Sequence, residues 1–390
     1  MFTIDKDELV FAVAAAADMV PQSTPQEQLQ NIEIEGADDV LTVRASTGHS
    51  WCETRTDIDG DLDKVIVPAH FFEQVVSSMP DGRLKSSTIG KRLDITAEGA
   101  TSRATIPVLA DDKYPRAIPA TKEPSVTISS DVLKEGIAKV AWIVDPREIV
   151  PSRAGILLEI NKGGITFAGC SQQGMSEFAE KAPRKVDASI ILPLQFARLI
   201  QKHFPARSDI KTTVGVSQGI FANERLTLAS VGIEGGFAPY RAIFDKTLDK
   251  IKHRIPTNVA ALRGAIARKT PFVGRYNGIR LTFDSGMLTV QAGHDALDST
   301  DSIPSSYAGE EIGCLMAIET TQKLLSAFDG ENVTIALAGP KDILLFFDDS
   351  RDESTSYWSA VTQWSEAHAE ERKRRDAEKQ QQKEEREYRR

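Results

Sequence analysis

At 390 residues, 41% hydrophobic and 26% charged, the chain has the composition of a globular protein of two or three domains. No apolar run approaches the roughly 18 residues of a membrane span. Three well-separated cysteines without a CxxC pair (Cys52, Cys170, Cys314) argue against a disulfide framework and a zinc site, and predict a reducing cytoplasm. The formal charge of −9 is unevenly spread: residues 1–120 carry −9, residues 121–252 carry +4, residues 253–364 carry −5, and the rest carry +1. An acidic chain can still gather a basic surface on one face.

In chain order, "FTIDKDEL" from Phe2 reads as a strand ending in a polar cap, followed by a helix. "FAVAAAADMV" follows acidic residues instead of a basic leader region, so it reads as that helix and not as a signal peptide. "DVLTVRAST" from Asp39 alternates, with Leu41 and Val43 on one strand face. "DIDGDLD" (57–63) suggests a calcium loop, but the EF-hand needs glycine sixth and glutamate twelfth. From Asp57 the glycine is fourth and the twelfth residue is Pro68, so an acidic hairpin turn is expected. "KVIVPAHFFEQVVSSMP" (64–80) is a β-branched run, a proline, a helical-period stretch and a second proline. "SRATIPVLA" (102–110) reads as a strand, and "AIPATKEPS" (117–125) as a Pro-rich linker.

The same phrases then return. "VTISSDVL" begins at Val126, "GGITFAGCS" at Gly163 and "SIILPLQFARLIQKHFP" at Ser189, before a short charged linker, "DKTLDKIKHR" (245–254). A third set follows: "HRIPTNVA" at His253, "GMLTVQAGH" at Gly286 and "CLMAIETTQKLLSAFD" at Cys314. Val75/Met79, Ile200/Phe204 and Leu324/Phe328 place apolar residues four apart on equivalent helices. Ile165/Phe167 and Leu288/Val290 repeat the strand face of Leu41/Val43. A period of about 125 is too long for a solenoid unit and marks whole domains. The fold class predicted is α+β: three tandem similar domains (1–120, 121–250 and 251–364), each with two helices and antiparallel sheets. Closing such a series on itself would remove exposed sheet edges.

Three tandem domains carrying "VIVPAHFFEQVV" and "IILPLQFARLI", with "GGFAPYRAIFD" closing the second, resemble the bacterial DNA polymerase III beta subunit, the sliding clamp, over residues 1–364. The resemblance implies a head-to-tail homodimer forming a ring around double-stranded DNA, with helices inside and sheets outside. It implies a cytoplasmic processivity factor without catalysis, cofactor or metal. Its partners would be DNA polymerase, the clamp loader and other proteins carrying a short clamp-binding peptide.

Helices lining DNA should be basic opposite their apolar stripe. Lys134, Lys139, Arg198, Lys202, Arg207, Arg263, Arg268 and Lys323 are the candidates, all in the second and third repeats. The helix "PAHFFEQVVSSM" offers His70, Glu73, Gln74 and Ser77 and no basic residue. Phosphate contacts of this kind are blind to sequence and salt-dependent, which suits a ring that moves.

The resemblance also implies a peptide-docking pocket between the second and third domains. Its positions here are Arg153, Cys170, Gln172, Gln173, Met175, Ala238, Ala242, Ile243, Thr320, Val361, Thr362 and Trp364. "CSQQGM" (170–175) departs from the family's Thr-Asp-Gly-His-Arg-Leu pattern, keeping only an apolar last residue. "FAPYRAIF" keeps Tyr240 and Arg241, and "YWSAVTQW" (357–364) replaces a Met-Pro-Met-Arg-Leu ending. The dimer interface falls on Ala104 and Ile106 of "SRATIPVLA" and on Arg268 and Lys269 of "ARKTP". Pro107 removes a ladder donor there, and Ala104 stands where the family usually has an aromatic, so a more polar dimer is expected.

"GCSQQG" fits neither a nucleophile elbow nor a phosphate loop, and the six histidines have no metal spacing. His203 reads as a helix-end residue near the core. Residues 365–390 alternate Glu with Arg and Lys and lack apolar heptad positions, which favours a charged solvated helix or disorder. The leading expectation is a DNA sliding clamp. A clamp-like decoy or resistant paralogue with an altered pocket and an enzyme built on duplicated α+β domains are the alternatives.

Overall fold

The computed structural model describes residues 1–363 apart from 22–23, 110–113, 115–117, 119–120, 216, 275–276, 295–296 and 340–341. The first repeat opens with β1 (Phe2–Asp5) and α1 (Lys6–Met19). Then come β2 (Asn31–Ala37), β3 (Val40–Ser46), β4 (Ser50–Asp57), the short β5 (Asp59–Gly60) and β6 (Leu62–Pro68). Helix α2 (Ala69–Ser78) is followed by β7 (Arg83–Ile89), β8 (Arg92–Ala97) and β9 (Arg103–Pro107).

The second repeat has β10 (Ser125–Ser129), α3 (Ser130–Ala141), β11 (Gly155–Asn161), β12 (Gly164–Ser171), β13 (Gly174–Glu180) and β14 (Ala188–Pro193). It continues through α4 (Leu194–His203), β15 (Asp209–Val214), β16 (Gln218–Ala222), β17 (Leu226–Val231) and α5 (Tyr240–Leu248). The third has β18 (His253–Asn258), α6 (Val259–Ala267), β19 (Gly278–Asp284), β20 (Met287–His294), β21 (Leu297–Pro304) and β22 (Ile312–Ala317). It ends with α7 (Ile318–Ser326), β23 (Asn332–Leu337), β24 (Leu344–Phe347) and β25 (Thr355–Val361).

The architecture is α+β with antiparallel sheets, as the repeated phrases predict. Helix α5 was not expected: residues 240–248 are helical where the sequence reads as the end of a domain running into a linker. Its Pro239 cap and the apolar Ile243, Phe244 and Leu248 are the signal that could have shown it. The acidic turn at 57–63 is a chain reversal carrying the two-residue β5, with Gly60 at φ 102°.

The described chain gathers into two compact units, which do not follow the repeats. The first comprises Met1–Ile137, Leu157–Gly163 and Pro183–Gly235. Within it lie a five-stranded sheet in the order β5-β1-β7-β8-β9 and an eight-stranded sheet in the order β10-β15-β16-β17-β4-β3-β2-β6. The larger sheet joins two repeats, because β17 pairs with β4, Leu228 opposite Cys52 and Ser230 opposite Ser50. Helices α1 and α2 pack together, and α1 also packs on β3 and β4. Its alanines make that close approach possible: Ala12, Ala15, Ala16 and Ala17 are buried, and Thr54 Oγ1 donates to the Ala12 carbonyl at 2.6 Å. The buried face of α2 runs through Ala69, Phe72 and Val76, one position along from the predicted Val75.

The second unit comprises Ala138–Ile156, Gly164–Ala182 and the chain from Gly236 onward. It holds a four-stranded sheet in the order β21-β20-β19-β22 and the run β12-β13-β25-β24-β23-β18. Here too one strand pair joins two repeats: β13 with β25, Ser176 opposite Ser359. The strands are tight at Gly174, where an added Cβ would lie 2.2 Å from the Ala360 carbonyl oxygen. Each of the two joints buries a pair of opposed serines whose hydroxyls hydrogen-bond at 2.9 Å, Ser50 with Ser230 and Ser176 with Ser359.

Candidate nucleic-acid interface

In the first unit, α4 presents the basic side chains that its spacing predicts. Leu194, Phe196, Ala197 and Ile200 face the core, while Arg198 and Lys202 are exposed. Lys202 Nζ donates to Asp18 Oδ2 of α1 at 2.5 Å, and His203 Nε2 lies 2.6 Å from the same oxygen. Asp18 sits in the last turn of α1, where the helix dipole disfavours a carboxylate, so a cation from outside the helix is needed. Burial works against the Asp18 carboxylate, but the bonds from Lys202 and His203 outweigh it and hold its pKa below the usual value. Burial pushes the His203 pKa down. Asp18 was missed from sequence, and it reduces the net positive charge that Lys202 adds. Lys134 is half-buried on α3, and Arg207 is exposed in the left-handed region at φ 55°.

Two predicted DNA contacts in the second unit do different work. Lys139 is 3% exposed. Its Nζ donates to the Ala327 carbonyl and to Asp329 at the end of α7, and it lies 5.2 Å from the centroid of the Tyr357 ring. A side chain so placed cannot face DNA, and the expectation for Lys139 is corrected accordingly. Arg263 is exposed as a residue, yet its guanidinium donates to the Leu325 and Phe328 carbonyls. Carbonyls at the end of a helix lack partners within it and attract cations, and these two side chains supply them. Arg268 is exposed and pairs with Asp301 at 2.7 Å. Lys323 is exposed on α7.

Lys269, predicted at the dimer interface, has no exposed side-chain surface and donates to Ser299 Oγ at 2.8 Å and to Asp301 Oδ2. It braces the inner side of β21 from within its own repeat, which corrects the expectation of direct contact. Bonds from Arg268 and Lys269 hold the Asp301 pKa at about 2. Ala104 is half-buried and Ile106 buried on β9.

Several predicted docking residues in the second unit do come together. Gln173, in the turn between β12 and β13, accepts from Thr320 Oγ1 at 2.7 Å. Its carbonyl accepts from the Thr362 amide at 2.9 Å and the Thr362 hydroxyl at 3.1 Å. Val361 is buried and pairs with Gly174, and Met175 is opposite Ala360. Gln172 is exposed, and Arg153 is half-buried in a single helical turn, Pro151–Arg153. Cys170 is buried, which raises its thiol pKa to about 11 against the opposing bond from Ala238. The buried thiol corrects Cys170 from a docking contact to a packing residue. Ala238 is half-buried, and Ala242 and Ile243 are exposed on α5. Trp364 and the tail lie outside the described residues.

The aromatic anchor of this region went unpredicted. Phe244 of α5 stacks on Trp358 at 4.0 Å, and Trp358 Nε1 donates to Glu177 Oε1 at 2.9 Å. Arg241 lies 3.4 Å from the same carboxylate group. Helix α5 is thereby clamped to β25 and β13, and the surface around Ile243 is built on that clamp.

Residues 1–119 match the family model of the DNA polymerase III beta subunit, N-terminal domain. The chain is 24% identical over 326 residues to the beta sliding clamp of Streptomyces coelicolor, covering 79% of this chain and 83% of the relative. It is 20% identical to the beta sliding clamp of Pseudomonas aeruginosa, covering 90% and 97%. Along most of its length the chain is similar to the DNA polymerase III beta subunits. Its fold matches the solved beta subunit of Thermotoga maritima with a TM-score of 0.85 at 15% identity, covering 93% of this chain and 98% of that one. The sliding clamp of Pseudomonas aeruginosa matches at 0.83 and 18%, covering 93% and 99%. At "CSQQGM", α5 and the C-terminal strand this chain carries the Gln173 bonds and the Trp358 stack.

Proposed function

We infer that this chain is a DNA sliding clamp, a ring around duplex DNA that keeps a replicative polymerase on its template. The observation that carries the reading is the repeated edge-to-edge joint in a chain similar to this family: β4 with β17, then β13 with β25, on like strands of successive repeats. A series that joins head to tail twice is suited to close on a second copy, and two copies would complete a ring. The chain then acts by topology and positioning, as a processivity factor, without a reaction of its own. No helix among the described residues is long and apolar enough to cross a membrane.

Arg198, Lys202 and Lys323, exposed on α4 and α7, are the side chains assigned to DNA phosphates, with the half-buried Lys134 of α3 and the exposed Arg207 beyond α4 beside them. The docking surface for a polymerase or loader peptide is assigned to Gln172, Ala242, Ile243 and Thr362, with the Trp358–Phe244 stack beneath. Loading onto nicked circular DNA with a cognate loader, followed by linearisation, tests the reading. A linked ring slides off the cut ends, and retention after cutting would refute it.

A further inference from the structure

One oxygen of Asp18, at the end of α1, is held by two neighbouring side chains of α4, Lys202 and His203. The two ends of the lysine pair differ in exposure: the Lys202 side chain is 65% exposed and that of Asp18 30%. The lysine pairs of the second unit are built the other way round. In Lys139–Asp329 the lysine side chain is 4% exposed and the carboxylate 77%. In Lys269–Asp301 the lysine is fully covered. Those lysines are fixed in place. Lys202 is instead the free end of its pair, and Asp18 is the anchored end, with the largely covered His203 beside it.

We propose that Lys202 is exchanged between Asp18 and a phosphate of bound DNA, and that His203 then takes a proton from solvent and holds Asp18 alone. This rests on the sliding-clamp reading. It adds Asp18 as the group that competes with DNA for one contact, and His203 as the positioning residue that makes the exchange possible.

An ion pair whose lysine lies in solvent is weak in water. A phosphate contact is driven by release of counterions from the duplex, so DNA displaces the carboxylate, and a single ammonium on a flexible stem suits such an exchange. Asp18 then needs another cation. It sits in the last turn of α1, which has no basic residue of its own, and the negative end of a helix disfavours a carboxylate. His203 Nε2 already lies 2.6 Å from it. With Nε2–H donating, a proton taken on Nδ1 turns that bond into a charged one, and the last turn of α4 favours the cation.

The surroundings point to His203 as the replacement. Helix α4 packs chiefly on α1 and β14, and β14 has no titratable side chain. The other charged residues of α1, Lys6, Asp7 and Glu8, are at its far end, where Lys6 pairs with Asp81 and Glu8 with Arg225. On α2, which packs on α1, His70 Nε2 lies 3.2 Å from the Val20 carbonyl oxygen, and Glu73 lies 4.0 Å from Nδ1. Arg198 is exposed one turn back on α4, and Arg207 is exposed beyond its end. Burial lowers the His203 pKa, Asp18 opposes that, and Lys202 adds to the lowering. Moving Lys202 to DNA leaves the opposing neighbour in place. The DNA-bound state therefore binds more protons than the free one, and affinity rises as pH falls through neutrality.

Anisotropy of a labelled duplex oligonucleotide, titrated with the full chain at several salt concentrations between pH 8 and 6, tests the exchange. The Kd of the unsubstituted protein is expected to fall with pH, by at most about tenfold per unit because one proton is taken up. His203→Gln should abolish that dependence. An unsubstituted Kd that is the same at both ends of the range overturns the proton-linked exchange. The salt slope separates an exchanged lysine from a fixed one. With exchange, Lys202→Met lowers the slope by about 0.9, one phosphate contact, while Asp18→Asn tightens binding several-fold at an unchanged slope. With a fixed pair, Lys202→Met leaves the slope as it was and Asp18→Asn steepens it by about 0.9. That second pattern overturns the exchange and leaves the clamp standing. Absence of duplex binding at every salt concentration overturns the clamp reading on which the exchange rests.

Discussion

Replacing Lys139 by Met keeps most of the apolar stem and removes the ammonium that donates to the Ala327 carbonyl and Asp329. A hydrogen bond from a charged donor is worth about 1.5–3 kcal/mol. Asp329 is 77% exposed on its side chain and can turn to water, so little of the loss comes from it. The carbonyl at the end of α7 cannot do the same, because its partner is buried. The contact with the Tyr357 ring adds about 0.5–1 kcal/mol. The expected cost is about 2–4 kcal/mol, read as a lower urea midpoint of unfolding. DNA retention at a fixed folded fraction should not change. Stability within about 0.5 kcal/mol of the parent, which is the usual range for surface substitutions, together with weaker DNA retention, would refute the assignment and return Lys139 to the DNA face.

Arg198→Ala should reduce the steepness of the salt dependence of DNA binding by about 0.9, the contribution of one phosphate contact; an unchanged slope in a salt titration would place Arg198 off the DNA. Trp358→Ala should cost about 3–5 kcal/mol as a buried aromatic and release α5, read by thermal unfolding and by faster amide exchange over 240–248. Because burial lowers the folded pKa of His203, its neutral form is favoured; its contribution is present above the unfolded value near 6.5 and is lost as pH falls below it. His203→Gln should therefore flatten the fall in stability between about pH 7 and 5, with Asp18 and Lys202 left in place, whereas an unaltered pH profile would dismiss the role.

Much of the architecture was legible because it is written three times. A proline or alanine before a helix, an apolar pair four apart and an alternating strand behind a turn are local signals, and their recurrence at a common interval shows the order of strands and helices without any long-range contact. The exposed Arg198 and Lys202 were legible for the same reason, since they lie off the buried stripe of α4. Periodicity cannot tell which neighbour waits beyond a helix. Lys139 and Arg198 both look like basic residues beside an apolar face. Only packing reveals that the end of α7 lies against one of them and solvent against the other. Asp18 became intelligible in the same way, once α4 brought it Lys202 and His203.

The sequence by itself determined the repeated phrases, the α+β class, the antiparallel strands and the family likeness, since each is written in local patterns that recur along the chain. Tertiary structure alone decided that sheets run across repeat boundaries through β4–β17 and β13–β25, and that α5 is held by Trp358. It also decided that Lys139 and Lys269 are inside. These outcomes depend on pairings between residues as much as 190 positions apart, and charge or hydropathy along the chain carries no record of which distant group will neutralise a given side chain.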